Sequence, residues 1–257
     1  MTQAIFMLQK QVVIDDQLIN YFEVNPQADT TVVFLHGWQS SVKVWVKILE
    51  KLGHNQVRLI ALDMPGFGQS PIPKLAWGVG DYAELVKNFA TKLELKNIVL
   101  VGHSFGGRVA IKLVSKEPKL IKKLVLVDAA GFRNEKIQTK LKILAAKTAK
   151  PLFALPILKR LKETALIAMG AKDYVEAGPM RQIFMKTINE DLTDFMHEIT
   201  IPTLLIWGEK DEETPLAYGE IMNRLIPDSK LVVLAGAGHF SFLDEPDHFV
   251  KLIHGLL

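Results

Sequence analysis

Short apolar runs rich in β-branched residues recur along the chain and alternate with segments of helical length. Six of these runs lie at residues 31–35, 58–62, 97–101, 124–127, 203–207 and 231–234. Because polar residues do not alternate with apolar ones, the runs are typical of strands buried on both faces of a parallel sheet. Helical segments fall at residues 42–52, 81–93, 105–115, 216–225 and 246–257. This alternation predicts an α/β protein with helices on both faces of a mostly parallel, twisted sheet.

Two departures from the alternation complete the predicted organisation. Runs at residues 11–14 and 18–24 flank the pair Asp15-Asp16 and predict an antiparallel hairpin, which brings the sheet to about eight strands. Between residues 128 and 201 lie about seventy residues of helix-forming sequence, where one connection needs about fifteen. We therefore predict an α/β core of residues 1–128 and 201–257 and an inserted helical cap of residues 129–200.

The composition excludes several classes of function. The 257 residues include no cysteine, which excludes disulfide bridges, thiolate metal sites and a cysteine nucleophile. A net charge of +3 is too small to indicate a nucleic-acid partner. No apolar run has the length of an integral membrane segment, and the first ten residues do not resemble a secretory signal. We expect a cytoplasmic protein without a cofactor or a metal, and the sequence leaves the oligomeric state open.

The hexapeptide Gly102-His103-Ser104-Phe105-Gly106-Gly107 follows a predicted strand directly and begins a predicted helix. In this strand–turn–helix context, the pattern G-x-S-x-G is typical of a nucleophilic serine. The glycines leave room for a strained turn that lifts the serine Oγ above the sheet. The alternative is that Ser104 only caps the helix that follows it. We interpret Ser104 as the nucleophile.

A nucleophilic serine needs a histidine that takes its proton and a carboxylate that orients the histidine. Two predicted strands lead into such residues at their carboxyl ends, where parallel sheets bind ligands: one reaches Asp211 and the other reaches His239. Two glycines precede His239 and allow its loop to approach the serine. We predict His239 as the base and Asp211 as the acid. Asp128, at the end of the neighbouring strand, and Glu209 are the alternatives for the acid.

Two further segments complete a resemblance to a known family. Leu35-His36-Gly37-Trp38 follows the third predicted strand, and Asp63-Met64-Pro65-Gly66-Phe67-Gly68-Gln69-Ser70 follows the fourth. Together with the order serine, aspartate, histidine along the chain, they resemble the lidded serine hydrolases of the α/β-hydrolase fold over nearly the whole length. The resemblance implies an oxyanion hole formed by the backbone N–H groups of Trp38 and Phe105.

The predicted cap carries an uneven charge. Residues 133–162 include nine basic residues and a single acidic one, Glu135. One interpretation is a solvated polar face. The other is a surface that attracts an anionic substrate, an acidic carrier protein or a negatively charged membrane surface.

These observations predict a serine hydrolase, similar to carboxylesterases, that cleaves a small-molecule ester of a small or medium acyl group. Dehalogenases and epoxide hydrolases of this fold are expected to carry Asp at the position of Ser104, so those reactions are disfavoured. Relatives that cleave carbon–carbon bonds of ring-fission products often carry Asn at the position of His103. Such a hydrolase remains an alternative, as does a ligand-binding protein without catalysis.

Overall fold

The computed structural model describes residues 7–54, 56–133, 164 and 172–257, and its centre is a single eight-stranded sheet. The strands are β1 (Leu8–Ile14), β2 (Gln17–Val24), β3 (Thr31–Leu35), β4 (Arg58–Leu62), β5 (Ile98–His103), β6 (Ile121–Val127), β7 (Thr203–Gly208) and β8 (Ser229–Leu234). Their order across the sheet is β1-β2-β4-β3-β5-β6-β7-β8. β2 pairs antiparallel with β1 and β4, and every later pair is parallel. The predicted α/β fold with a mostly parallel sheet is therefore confirmed.

The central strands are buried on both faces, which explains their unbroken apolar sequence. In β3, Val33 and Leu35 belong to one hydrophobic cluster, whereas Val32 and Phe34 belong to another on the opposite face. Helices cover each cluster. Two cores of this kind hold the carboxyl ends of the strands in fixed register, and the site is built at those ends.

Helices α1 (Val46–Leu52), α2 (Val79–Lys92) and α3 (Phe105–Lys116) follow β3, β4 and β5. Further α-helices span Lys172–Glu176, Arg181–Asn189, Thr193–His197, Leu216–Leu225, Ser241–Asp244 and Pro246–His254. The first half of the predicted helix 42–52 is a 3-10 turn, Val42–Trp45, and the last predicted helix ends at His254 rather than at residue 257. Gly255 follows the last helix.

Part of the predicted cap lies within the described residues. The side chains of Met180, Ile183, Phe184 and Met196 join the same cluster as α2 and α3, so this part packs on one face of the core. The division into core and cap stays a prediction. Apart from Arg133, the basic segment 133–162 lies outside the described residues.

None of the helices that the structure describes has both the length and the apolar character needed to cross a membrane.

Candidate active site

Ser104 occupies a strained turn between β5 and α3. Its backbone dihedrals are φ 51° and ψ −112°, a left-handed conformation that is costly for a residue with a side chain. A Cβ atom added at Gly102 would lie 2.5 Å from the carbonyl oxygen of Gly106, and one added at Gly106 would lie 2.4 Å from that of Leu35. Both glycines are therefore required by space, as the pattern predicts, and the turn leaves the Ser104 side chain partly exposed.

Backbone hydrogen bonds hold this turn in place. The Ser104 N–H donates to the carbonyl of Val127 at the end of β6 (3.1 Å), and the Ser104 carbonyl accepts from Ala130 N–H (3.1 Å) and Gly107 N–H (3.0 Å). The strained residue is thus tied to the neighbouring strand end as well as to its own helix. Fixed neighbours of this kind allow a strained conformation to persist.

The loop after β3 passes directly beside the turn. A Cβ atom added at Gly37 would lie 3.3 Å from Ser104 Cβ and 3.0 Å from His103 Nδ1, so the backbone that leads into Trp38 runs against the serine. Within the described part of the chain, the backbone N–H groups of Trp38 and Phe105 donate no hydrogen bond. Phe105 is also the first residue of α3, where helical N–H groups lack partners and the helix dipole favours negative charge.

Asp211 and His239 are in contact at the carboxyl ends of β7 and β8. Asp211 Oδ2 lies 2.9 Å from His239 Nδ1, and the Asp211 side chain is fully buried. Burial opposes the charged imidazolium, but the hydrogen bond and charge of Asp211 outweigh it and raise the pKa of His239 above its ordinary value. The hydrogen bond requires the tautomer with the proton on Nδ1 when the ring is neutral, which leaves Nε2 as an acceptor.

Three donors beside His239 fix the orientation of the Asp211 carboxylate. Oδ1 accepts from the backbone N–H groups of Glu213 (2.8 Å) and Thr214 (2.9 Å), and Oδ2 accepts from the Thr214 hydroxyl (2.7 Å). Burial alone would raise the pKa of Asp211, but the bonds from His239 and Thr214 stabilise the carboxylate and lower the pKa overall.

Asp128, the alternative acid, has other partners. Its Oδ1 accepts from the Gly208 N–H (2.7 Å), and its Oδ2 accepts from the hydroxyl (2.6 Å) and the N–H (3.2 Å) of Ser241. Burial raises the pKa of Asp128 to about 7, although these bonds oppose the shift. The carboxylate therefore braces the end of β7 against the segment after His239 and makes no hydrogen bond to the imidazole. The other alternative, Glu209, is exposed and accepts a hydrogen bond from Gly236 N–H (2.8 Å).

His103 links the serine turn to the histidine loop. Its Nε2 donates to the carbonyl oxygen of His239 (2.8 Å), and the two imidazole rings lie 4.9 Å apart between centroids. Burial, together with the charge of His239, lowers the pKa of His103 to about 3, so the ring is neutral. The loop that carries His239 is thus anchored to the residue preceding Ser104.

The Nε2 atom of His239 faces the carboxylate of Glu213, at 3.3 Å from Oε2. The hydroxyl of Ser104 makes no hydrogen bond within the described part of the chain. In this conformation, therefore, the imidazole is paired with two carboxylates and is not hydrogen-bonded to the serine. In the reactive arrangement Nε2 accepts the Ser104 proton in place of its contact with the exposed Glu213 side chain, and apo sites often show such loose geometry.

Aromatic side chains form one wall beside the serine turn. The Trp38 ring lies 4.9 Å from Phe67, 5.5 Å from Phe105 and 5.1 Å from Phe184, measured between centroids. Phe184 comes from the described part of the predicted cap, so this wall joins the cap region to the core. Phe67, Phe105 and Phe184 are buried and pack as core residues.

Comparison with known proteins agrees with this geometry. The sequence model of the alpha/beta hydrolase family matches residues 32–252. The chain belongs to this family. Its strand order and serine turn are thus those of an alpha/beta hydrolase, and the resemblance that the sequence motifs indicate is confirmed at the level of the family.

Individual alpha/beta hydrolases resemble the chain more distantly. A 2-hydroxy-6-oxononadienedioate/2-hydroxy-6-oxononatrienedioate hydrolase of Pseudomonas sp is 26% identical over 251 residues, which cover 89% of this chain and 88% of the relative. A pimeloyl-[acyl-carrier protein] methyl ester esterase of Yersinia pseudotuberculosis is 27% identical over 254 residues, which cover 91% and 95%. The solved structure of an esterase from Exiguobacterium antarcticum superposes with a TM-score of 0.77 at 22% identity and covers 97% of this chain and 99% of its own.

The sequence predicted Ser104, Asp211 and His239 as site residues, the family resemblance implied Trp38 and Phe105, and neither indicated the contacts of His103 and Glu213 with His239. The signal for His103 was its position inside the serine motif. Glu213 follows Asp211 by two residues. The direction of its side chain depends on the path of the turn whose N–H groups bond to Asp211, and residue types do not specify that path.

Proposed function

We propose that this alpha/beta hydrolase is a serine hydrolase that cleaves the carboxylic ester of a small or medium acyl group through an acyl-enzyme intermediate. The observation that carries the proposal is the pair Asp211–His239, 2.9 Å apart, together with the bond by which His103, the residue before Ser104, anchors the His239 loop. A buried carboxylate at Nδ1 of a histidine next to a serine in a strained turn is the arrangement that activates a hydroxyl nucleophile.

The proposed reaction has two halves. Ser104 Oγ attacks the ester carbonyl carbon while His239 Nε2 accepts the hydroxyl proton. The oxyanion of the tetrahedral intermediate accepts hydrogen bonds from the N–H groups of Trp38 and Phe105. The intermediate then collapses, the alcohol leaves with the proton from Nε2, and the acyl group stays on Ser104. Water repeats the sequence with the same proton transfers, which releases the acid and restores the serine.

Asp211 acts on His239 throughout both halves. It holds the tautomer in which Nε2 is the acceptor, and its charge stabilises the imidazolium that forms when Nε2 takes the proton. For this transfer the exposed Glu213 side chain moves off Nε2 and the Ser104 hydroxyl takes its place, while Nδ1 keeps its bond to Asp211. No step requires a metal or a cofactor.

A second candidate is the hydrolysis of a carbon–carbon bond in a ring-fission product, and it is favoured by the similarity to the Pseudomonas hydrolase. The two reactions would use the same residues but differ in where the proton goes, because a carbon leaving group must be protonated. A ligand-binding role without turnover is the third candidate.

One screen separates the three candidates. The hydrolysis of p-nitrophenyl esters from acetate to decanoate is measured beside the cleavage of one 2-hydroxy-6-oxodienoate, with the wild-type chain and with Ser104→Ala. We expect the esters to be hydrolysed, with the greatest kcat/KM for a short or medium chain, and hydrolysis to be lost with Ser104→Ala. Cleavage of the dienoate alone would favour the second candidate, and binding without turnover would favour the third.

The basic segment 133–162 and the cytoplasmic location stay predictions from the sequence. If the segment attracts an anionic substrate or an acidic carrier protein, kcat/KM for a charged substrate falls as ionic strength rises, because salt shortens the range of the attraction. The kcat/KM for a neutral ester then stays nearly constant over the same range of salt.

A further inference from the structure

The carboxylate of Glu213 lies at the reacting nitrogen of His239. Glu213 Oε2 is 3.3 Å from Nε2, and the side chain is 68% exposed. Its backbone is not free to drift, because the Glu213 N–H donates to Asp211 Oδ1 at 2.8 Å. The buried acid thus determines where the exposed carboxylate emerges.

Within the described part of the chain, no lysine or arginine neutralises the negative charge of Glu213. Its one ion-pair partner there is His239, and no lysine or arginine of the described residues lies within ion-pair distance. Its neighbour Glu212 is also exposed but makes no ion pair with His239. Glu212 and Glu213 therefore have the same side chain, but only Glu213 is paired with His239.

The position of Glu213 beside Nε2 places its carboxylate on the leaving-alcohol side of a bound ester. In the proposed reaction Nε2 returns its proton to the leaving alcohol, so the oxygen of that alcohol must come within hydrogen-bond distance of Nε2. A group attached to the alcohol then lies beside the carboxylate, whereas the acyl group lies on the far side of the carbonyl. Glu213 is therefore aimed at the alcohol and not at the acyl chain.

We propose that Glu213 is a specificity-determining residue that favours esters of positively charged alcohols, such as amino alcohols or quaternary ammonium alcohols, over neutral or anionic ones. The inference rests on the proposed ester hydrolysis and adds the charge of the leaving group, which the fold and the family leave open.

The size of the preference follows from the Coulomb interaction. Two unit charges about 5 Å apart attract enough to change an equilibrium about fourfold at the dielectric constant of water and about fifteenfold at half that constant. We expect kcat/KM for a cationic ester to exceed that for its neutral isostere by about four- to fifteenfold at low salt, with the difference shrinking as salt is added.

The test uses three butyrate esters that differ at one end: the choline ester, the 3,3-dimethylbutyl ester, in which carbon replaces the charged nitrogen, and the 2-sulfoethyl ester. Acid release is titrated for the wild-type chain, for Glu213→Gln and for the matched control Glu212→Gln. We expect the order cationic, neutral, anionic in the wild type and in Glu212→Gln. In Glu213→Gln we expect the ratio of cationic to neutral kcat/KM to fall to about one.

A second measurement distinguishes an effect of charge from a change of structure. Four titratable side chains adjoin His239 or act on its charge: Asp211, Glu213, Asp128 and His103. Of these, Glu213 is the exposed carboxylate that faces Nε2, and it stabilises the imidazolium. We expect Glu213→Gln to shift the acidic limb of kcat/KM for the neutral ester to lower pH, and Glu212→Gln to leave that limb in place.

Two results would overturn the inference while leaving ester hydrolysis intact. One is the same cationic-to-neutral ratio in the wild type and in Glu213→Gln. The other is a preference for the 2-sulfoethyl ester, which would indicate that the basic segment governs substrate charge. If the chain hydrolyses none of the three esters and none of the p-nitrophenyl esters, the proposed function is overturned and the inference with it.

Discussion

Replacing Asp211 with asparagine separates the two carboxylates that end neighbouring strands. The structure determines how the new amide must lie. If its NH2 group took the place of Oδ1, it would face the N–H groups of Glu213 and Thr214, which now donate at 2.8 Å and 2.9 Å. The buried N–H of Thr214 would then lose its acceptor, at a cost of about 1–3 kcal/mol, and the part-buried N–H of Glu213 would lose its acceptor as well. The NH2 group therefore takes the place of Oδ2 and faces the Thr214 hydroxyl and His239.

With an NH2 group opposite it, His239 Nδ1 must accept a hydrogen bond instead of donating one. The imidazole proton moves to Nε2, which can no longer accept the proton of Ser104. Loss of the correct tautomer costs about four orders of magnitude in kcat, which corresponds to about 5.4 kcal/mol of activation free energy. We expect this loss in the acylation rate of Asp211→Asn, measured by stopped-flow release of p-nitrophenol.

Asp128→Asn is the matched control, because the same change is made on the carboxylate that braces Gly208 and Ser241. The amide keeps one acceptor and loses another, so we expect a lower melting temperature, from a loss of about 1–3 kcal/mol, with most of kcat retained. A loss of less than about tenfold in Asp211→Asn, or a larger loss in Asp128→Asn, would refute the assignment of the acid.

Three further predictions concern the base, its anchor and the serine turn. The hydrogen bond of Asp211 and the charges of Asp211 and Glu213 outweigh burial and raise the pKa of His239. Because the base acts in its neutral form, the acidic limb of kcat/KM should have its midpoint above pH 6.5, with activity falling below that midpoint. A midpoint well below 6.5 would contradict this. His103→Leu removes the hydrogen bond to the His239 carbonyl and should lower kcat about ten- to hundredfold. His103→Gln should retain much of the wild-type kcat, because its amide can donate the same hydrogen bond. Equal losses of kcat in both variants would indicate that His103 acts through packing alone. Gly106→Ala should destabilise the fold by about 1–3 kcal/mol or more in denaturant titrations, since its methyl group meets Leu35, and an unchanged midpoint would contradict that contact.

The sheet was predictable because its strands are short, apolar and buried on both faces, and each observed strand overlaps its predicted run. The 3-10 turn before α1 and the four-residue helix Ser241–Asp244 were not predicted, because one turn of helix has too few residues to show a period. Strand ends were less predictable than strands, as in β6, where Lys122 and Lys123 interrupt the apolar pattern and the pairing with β5 shifts by one residue at Lys122.

The residues of the site were predictable to the extent that backbone geometry places them. The glycines around Ser104 indicate a turn that admits no side chains, and the strand ends bring Asp211 and His239 to one edge of the sheet. Which carboxylate reaches the imidazole depends on the path of each turn over a few ångströms. Residue types alone therefore left Asp128 and Asp211 as alternatives.

The central claim, that Ser104 is the nucleophile, is tested most directly by mapping a covalent adduct. The native chain is treated with a fluorophosphonate and digested, and the modified peptide is identified by tandem mass spectrometry. We predict one phosphonyl adduct, on Ser104, whose formation slows strongly in His239→Ala because the serine then lacks its base. An adduct on another residue would contradict the account. So would a chain that, after treatment with the fluorophosphonate, carries no adduct and still hydrolyses esters.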